Sequence, residues 1–328
     1  MEAMVIRTLR IGVAGAGHFG RFHAQKVAAS ARSMLVGIAD RDPARAALVA
    51  AENGTRAMAW VDLLAASDAI VVATPAETHF ELASQALRAG KHVLVEKPVA
   101  ATLAEADGLA ALAGQAGLVL QVGHLLRFTP EHAAIQLHMP RPIFIECIRI
   151  APFKPRGTDV SVVLDLMIHD LDMVLSLVDA ELETVDAIGA PVASEFEDIA
   201  NARLGFSNGC VAMITASRIS LRTERKMRLF GQDGYLNVDF AARSLMAIGR
   251  GGEGMPVPGM PEATMRQVTW PEQDALVAEH AGFVAAVLDG APIRVDAAAG
   301  RRALAAALAV AESMKAARTR AEASGLIR

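Results

Sequence analysis

Aromatic side chains are scarce in this sequence: 4% of its 328 residues, with one Tyr and two Trp. Ala, Val, Leu and Met must therefore fill its cores, and a hydrophobic share of 53% is ample for two of them. Cysteine is nearly absent. Cys147 and Cys210 have no metal-ligand spacing around them, so they read as buried thiols in a reducing compartment, without a disulfide framework. There is no basic excess: 32 Lys+Arg stand against 36 Asp+Glu, which argues against a nucleic-acid footprint. Long apolar runs are missing too. Ala303–Ala311, bounded by Arg301, Arg302 and Glu312, falls far short of the roughly 20 residues a membrane helix requires. The opening MEAMVIRTLRIGVAG carries Glu2 and passes straight into a strand, unlike a secretory leader. A soluble, cytoplasmic, two-domain protein is expected, with neither nucleic acid nor membrane as partner.

What is present begins with glycine. Leu9–Ala14 reads as a short buried strand, Gly15-Ala16-Gly17-His18-Phe19-Gly20 follows, and a helical stretch runs to Ser30. The next strand, Met34–Ala39, ends on Asp40, twenty residues past the third glycine. Strand, G-x-G-x-x-G, helix and a delayed acid form a dinucleotide-binding fingerprint. Gly15 permits the tight turn, Gly17 lets a pyrophosphate approach the backbone, and Gly20 lets helix and strand pack closely. The helix N-terminus at His18 and Phe19 offers unpaired N–H groups and a positive dipole end to the phosphates. Asp40 can accept both ribose hydroxyls of NAD and repels a 2′-phosphate, so NAD is favoured over NADP. Arg41, a potential partner for that phosphate, keeps NADP open.

The alternation continues. Asp42-Pro43 opens a helix over Ala44–Ala51, and Ala69–Ala73 is a strand ending in Thr74-Pro75. Glu77–Ala89 is a helix stopped by Gly90, and His92–Val95 is a strand ending in Glu96-Lys97-Pro98. Thr102 and Glu105 make a capping box for a helix to Ala113, and Leu118–Val122 is one more strand. Such alternation predicts an α/β chain whose residues 1–123 form a Rossmann domain, a doubly wound parallel sheet with ligands at the strand C-termini. Thr74, Pro75, His79, Glu96 and Lys97 fall at that edge. They join Gly15, Gly17, His18, Phe19, Gly20, Asp40 and Arg41 as expected cofactor contacts. Lys97 directly follows a buried strand. An ammonium there can stabilise alkoxide character on a substrate oxygen whose carbon is losing hydride; the plainer alternative is a lysine reaching solvent. Pro98 suits a cis bond.

The rhythm stops near Gly123. His124–Pro130 reads as a crossover, and prolines at 140, 142, 152 and 155 surround a strand at Ile143–Ile150. Lys154, Arg156 and Asp159 lie in a polar turn before a helix over 160–178. Strands follow at Ile199–Phe206, Cys210–Ala216, Lys226–Phe230, Tyr235–Phe240 and Met265–Thr269, with Ser207-Asn208-Gly209 as a hairpin turn. Gly249–Pro261 reads as a mobile loop. Helices near Glu272–Leu288 and Ala297–Ala317 close the chain. Residues 124–328 are expected to form an α+β domain with an open, mainly antiparallel sheet. Its uncovered face calls for a second copy, in a homodimer or homotetramer.

Within Asp159–Asp172, DVSVVLDLMIHDLD, Asp165 and His169 stand four apart in an apolar helical pattern and so share one face. A carboxylate beside an imidazole can move a proton near neutral pH. A buried histidine held by its helical neighbour is the structural alternative. Next to a dinucleotide module, the pair becomes a candidate acid–base group for an alcohol that yields hydride. The two modules are then expected to meet at a cleft. His124, Arg127, Lys154 and Arg156 are candidate substrate contacts, either as counter-charge to a diphosphate or as a merely solvated basic turn.

Gly15–Gly20, Glu96-Lys97-Pro98 and Asp165-x-x-x-His169, in this order, together resemble the Gfo/Idh/MocA oxidoreductase family over nearly the whole chain. The resemblance implies a Rossmann domain, an α/β domain with an open sheet, a nicotinamide cofactor and dimers or tetramers built through that sheet. It also implies catalytic roles for Lys97, Asp165 and His169 close to the substrate's reacting carbon. Many members approach the Asp through a glycine run and carry Gly between the Asp and the His. Here Val160-Ser161-Val162-Val163-Leu164 precede Asp165, and Met167 stands between. That version, with GRFHAQK, LQVGHLLRF, RIAPFKPRGTDV and RKMRLFGQDGYL, looks like a nucleotide-sugar branch of the family. Its members oxidise the 3-hydroxyl of UDP-N-acetylglucosamine to a ketone, ahead of transamination and assembly of an amide-linked lipid A. In that branch an acid often precedes the crossover arginine and Asn is common shortly after it; here Leu126 and Thr129 stand there. The alternatives are another sugar or inositol dehydrogenase, a non-catalytic dinucleotide sensor, and an NADP-linked reductase of a carbonyl or imine. No spacing suggests a metal site.

Overall fold

Six residues, LRIGVA, form β1 (Leu9–Ala14), and all but Arg10 are buried. In a computed structural model, which describes residues 7–326 except 140, 155–159, 233 and 251–253, β1 is the second strand of a five-stranded sheet. After it come α1 (His18–Ala29), β2 (Ser33–Ala39), α2 (Pro43–Glu52), α3 (Trp60–Ala66), β3 (Ala69–Val72), α4 (His79–Arg88), β4 (His92–Glu96), α5 (Leu103–Ala116) and β5 (Leu120–Gly123). The strand order is β2-β1-β3-β4-β5, and every pairing is parallel. The direction of winding reverses between β1 and β3, where open α/β sheets form their ligand crevice.

The helix starts follow the expected chemistry. Asp42 accepts the N–H groups of Ala44 and Arg45, with Pro43 in the first turn. Thr102 and Glu105 form both halves of a capping box, and Gly117 ends α5 with φ 62. The short α3 was not anticipated. It has no side-chain cap, and a tertiary bond holds its first residue: Trp60 Nε1 donates to Gln85 Oε1 at 2.5 Å.

The second sheet is built from β6 (Phe144–Ile150), β7 (Leu182–Ala190), β8 (Ile199–Phe206), β9 (Val211–Ser217), β10 (Glu224–Gly231), β11 (Gly234–Asp239), β12 (Ser244–Arg250), β13 (Met255–Val257) and β14 (Met260–Thr269). Its order is β13-β14-β12-β11-β10-β6-β9-β8-β7, and among the described residues only β6 with β9 pairs in parallel. The sheet is mixed and mostly antiparallel. One face carries Ile145, Cys147, Ala200, Ala202, Leu204, Ala212, Ile214, Met227, Leu229 and Val238, all buried. Two helices precede the strand run or interrupt it: α6 (Pro130–His138), which extends the crossover, and α7 (Ile168–Leu177), which packs on β6 and β9. The opposite face is part-exposed and carries a row of rings. Phe144, Phe230 and Tyr235 lie on three adjacent strands, with centroids 5.6 and 4.9 Å apart.

Gly249–Pro261 is corrected by the structure: β12 runs to Arg250, and β13 and β14 take up five of the eight described positions from 254 to 261. Pro256 is tolerated because β13 is an edge strand. The turn containing Arg156 and Asp159 lies outside the described residues.

Two helices end the chain, α8 (Ala275–Asp289) and α9 (Ala297–Ala323). The chain divides into two compact units. One comprises the chain up to Phe128 together with Asp274–Leu304, and the other Thr129–Gln273 with the remainder. The expected boundary at 123/124 follows sequence order, whereas packing returns α8 to the first unit. Its Phe283 and Val284 belong to the same core as Ile11, Val13, Ile38, Val71 and Leu94. In the second unit, Ser313 of α9 accepts the Ala187 N–H of β7 at 2.9 Å.

Candidate functional site

The glycine turn has the steric profile its sequence implies. Gly15 sits at φ 99, and a methyl group there strikes the Ala73 carbonyl; one at Gly20 strikes the Gly15 carbonyl. A methyl at Gly17 meets nothing within 4 Å. That open cradle lies at the start of α1, which has no side-chain cap, so the N–H groups of His18, Phe19 and Gly20 are offered to an anion. His18 and Phe19 are exposed, Gly20 buried. Asp40 ends β2. Its Oδ2 accepts the Ala16 N–H at 2.6 Å, and its Oδ1 accepts the Asp42 N–H at 2.8 Å. These bonds tie the acid to the glycine turn and leave each oxygen a further lone pair for a ribose hydroxyl. Arg41 is exposed beside it. Thr74 and Pro75 follow β3, and Thr78 donates its hydroxyl to Thr74 Oγ1 at 2.7 Å. An open cradle, an uncapped helix start and an acid at the adjacent strand end fit a dinucleotide.

At the end of β4, the Lys97–Pro98 bond is cis, as the sequence suggested. Lys97 is half-buried. Two residues expected to touch the cofactor are buried and hydrogen-bonded within the protein. His79 is buried, with Nδ1 2.7 Å from the Pro98 carbonyl and Nε2 2.9 Å from the Thr74 carbonyl. Both ring nitrogens are thus used to join two loops. Glu96 is also buried: Oε1 lies 2.8 Å from His23 Nε2, and Oε2 accepts the Lys97 N–H at 3.1 Å. Burial works to raise its carboxyl, but the His23 hydrogen bond and the His23 and Lys97 charges together hold it below the usual carboxylate range. His124 is buried after β5. Arg127 lies in the turn that follows, where its carbonyl accepts from Arg294 at 3.4 Å.

In the second unit, Asp165 lies in a π-turn, Val163–Met167, that runs into α7. The expected helix is therefore wider at its start. Four α-helical steps leave an offset of about 40°, and a wider turn reduces it, bringing positions 165 and 169 closer to one line. Both residues are partly accessible, while Met167, Ile168, Asp170 and Leu171 are buried. Behind them Arg149 of β6 makes a bidentate pair with Asp170, both bonds 2.7 Å. Burial opposes the Arg149 charge, and Asp170 outweighs it, so the guanidinium stays firmly protonated. Burial also pushes the neighbouring Cys147 thiol well up, which leaves it inert.

A second buried pair holds the entry to this segment. Arg218 donates to Asp198 Oδ1 at 2.7 Å and to the Val160 carbonyl at 2.8 Å. Asp198 Oδ2 accepts three further N–H groups, from Val192, Ala193 and Ser194. Burial would raise this carboxyl, but Arg218 and the N–H groups drive it far below its ordinary value. Lys154 is exposed, and Arg156 lies outside the described residues.

Gly15–Gly20, Asp40, Thr74, Pro75 and Lys97 are thus gathered at one edge of the first unit's sheet, and Asp165 and His169 lie four residues apart where the π-turn runs into α7 in the second unit. Sequence reasoning missed His23, Glu279, His280, Arg149 and Arg218. A signal existed for two of them. Leu276, Glu279, His280, Phe283 and Val284 mark one helical stripe, so two ionisable residues sit on an otherwise apolar face.

Comparison with known proteins agrees with this anatomy. Residues 9–124 match a family model described as an oxidoreductase family with an NAD-binding Rossmann fold, and 148–237 match the GFO/IDH/MocA C-terminal domain. The chain is 44% identical over 310 residues to a UDP-N-acetylglucosamine 3-dehydrogenase of Acidithiobacillus ferrooxidans, covering 94% of this chain and 98% of that enzyme. A solved structure of that enzyme superposes with a TM-score of 0.89 at 43% identity, over 94% of this chain and 98% of the other. An inositol 2-dehydrogenase of Rhizobium meliloti is 28% identical over 326 residues, 94% of this chain and 97% of that enzyme. Matched by both family models and by a relative 44% identical over 94% of its length, the chain belongs to the Gfo/Idh/MocA oxidoreductase family.

Proposed function

We propose that this enzyme oxidises a secondary hydroxyl of a nucleotide sugar to a ketone with NAD, and that its substrate is UDP-N-acetylglucosamine, attacked at the 3-hydroxyl. The observation that carries the reading is the 44% identity across 94% of the chain to an enzyme of that name. Gly15, Gly17, the N–H groups of His18, Phe19 and Gly20, and Asp40, Thr74 and Pro75 are the residues to hold the dinucleotide. Bound there, its nicotinamide supplies a carbon that accepts hydride. A carboxylate at Asp40 supports NAD over NADP, because it attracts ribose hydroxyls and repels a phosphate.

The chain's own side chains manage the proton. His169 takes it from the hydroxyl as the carbon gives up hydride. Asp165 orients the imidazole or holds a neighbouring hydroxyl. Lys97 hydrogen-bonds the same oxygen and stabilises its developing charge; the proton-accepting role can pass between Lys97 and His169. Lys154, Arg156 and Arg127 are the cations we assign to the diphosphate, and His124 is assigned to the substrate. Replacing His169 by Ala should lower kcat by about 10²–10⁴-fold with little change in NADH affinity, the loss expected for an acid–base group. Unchanged kcat would remove His169 from the chemistry.

We place this step in the cytoplasm, ahead of transamination towards an amide-linked lipid A, in a homodimer or homotetramer formed through the open sheet face with its Phe144–Phe230–Tyr235 row. No helix among the described residues is long and apolar enough to cross a membrane. The test is incubation with NAD and UDP-N-acetylglucosamine, following NADH absorbance with a coupled aminotransferase to draw off the ketone. NADH formed with an inositol and not with the nucleotide sugar would favour the second reading, to which the Rhizobium meliloti relative points.

A further inference from the structure

Directly behind Lys97 the first unit buries a chain of ionisable groups that no step of the reaction uses. Glu96 Oε2 accepts the Lys97 N–H at 3.1 Å, Glu96 Oε1 lies 2.8 Å from His23 Nε2, and His23 Nδ1 lies 2.9 Å from His280 Nε2. All three side chains are buried. A charged carboxylate only accepts, so His23 donates from Nε2. The next bond joins His23 Nδ1 to His280 Nε2, and either ring can supply its proton. His280 Nδ1 has no hydrogen-bond partner among the described residues. Burial, followed by the charges of His23 and Lys26, keeps the His280 ring neutral.

The adjoining residue, Glu279, is fully buried, and neither carboxyl oxygen is paired among the described residues. Burial, then the charge on Glu96, pushes it well up, so it stays protonated. Of two buried carboxyls, only the one adjoining Lys97 is charged. The asymmetry has a geometric cause: Glu96 has two donors and Glu279 has none. Glu96 is also confined sterically, since a methyl at Gly123 would approach its Oε2 to 3.0 Å.

We propose that the buried chain His280–His23–Glu96 is a positioning device for Lys97. It holds Glu96 as a carboxylate pinned to the Lys97 N–H, which fixes the turn that carries the lysine and sets a permanent negative charge beside its ammonium. That charge keeps the amine protonated, the form that can donate a hydrogen bond to a substrate oxygen. The inference rests on the hydrogen-bond-donating role given to Lys97 above, with His169 as the proton acceptor. The other ionisable groups around the chain are Lys26 on α1, paired with Asp274 at 2.7 Å, Glu279 on α8, His124 after β5, and His79, whose ring meets Pro98.

The test reads the amine itself. In the NAD-bound full-length protein, the pH midpoint for acetylation of the Lys97 amine by acetic anhydride is followed by peptide mass spectrometry. Glu96→Gln keeps an acceptor for the Lys97 N–H but removes the charge, and should lower the midpoint by about one pH unit. His23→Leu, which strips the carboxylate of its donor, should lower it likewise. His23→Gln, which restores an amide donor, should return the midpoint towards wild type. Should Glu96→Gln fail to fold, the two His23 variants decide the matter. A midpoint unmoved in Glu96→Gln, or equal in His23→Leu and His23→Gln, would overturn the proposal. No sugar turnover enters this readout, so a failure to form NADH from UDP-N-acetylglucosamine would sink the substrate assignment separately.

Discussion

One methyl group separates two kinds of glycine in the nucleotide turn. At Gly20 it collides with the Gly15 carbonyl; at Gly17 it meets no atom within 4 Å. Gly17→Val should therefore melt at nearly the wild-type temperature yet bind NADH roughly 100-fold more weakly, because the side chain fills the space a pyrophosphate needs. Fluorescence titration beside a thermal melt checks both halves. Glu279 permits a prediction in pH. Its folded-state carboxyl is raised, so above an unfolded value of about 4.3 the native chain keeps a proton that the unfolded chain has lost. Stability then falls as pH rises, by about 1.4 kcal/mol per unit. His280 is depressed, so below about 6.5 the unfolded chain holds a proton the native chain lacks, and stability falls as pH drops. Between those two values the slopes oppose. Glu279→Gln removes the first, so its stability should rise from about pH 5 to about pH 6.5, and its advantage over wild type should be larger near pH 8 than near pH 5. Urea unfolding at those pH values measures it, and a constant difference would contradict a neutral Glu279.

The element that bears Asp165 and His169 is held from behind. Arg149 on β6 and Asp170 on α7 are both buried and bonded twice. Arg149→Met leaves Asp170 as an uncompensated buried charge and should destabilise the protein by about 3–5 kcal/mol. Arg149→Met with Asp170→Leu should recover most of that loss, since a packed apolar pair of similar volume is often neutral. Denaturant midpoints of the single and double variants test the coupling. The HDLD motif announces a helix with acids on it, and periodicity places Asp170 on the inner side. Its partner lies 21 residues upstream on a strand. Nothing local marks that pairing, because alternation along β6 shows Arg149 on the inward face without showing what it meets. The π-turn was equally hidden: it changes the hydrogen-bond step while preserving the apolar pattern.

At the scale of the molecule, the first unit is discontinuous in sequence. Phe283 and Val284, brought back by α8, lie in the same core as β1 and β2 residues, and each contributes about 1.5–3 kcal/mol by burial. Against a typical total of about 5–15 kcal/mol, their loss is severe. A fragment of residues 7–128 should lack a cooperative unfolding transition and NADH binding. Joining residues 274–304 to it through a flexible linker should restore both, as circular dichroism melts and NADH fluorescence would show. A self-sufficient 7–128 fragment would show that α8 is dispensable.

Sequence alone determined the parallel sheet, the glycine cradle with its acid at Asp40, the Lys97 turn and the four-residue spacing of Asp165 and His169 where one helix begins. These rest on spacing, and spacing is a local property: periods of 2 and 3.6 report which side of an element is apolar, and glycine reports where backbone must come close. The tertiary structure alone decided which polar groups meet. His23 finds Glu96 at a separation of 73 residues and His280 at 257. A histidine on an apolar stripe has no meaning until its partner arrives, because burial without one is unfavourable and burial with one is a device.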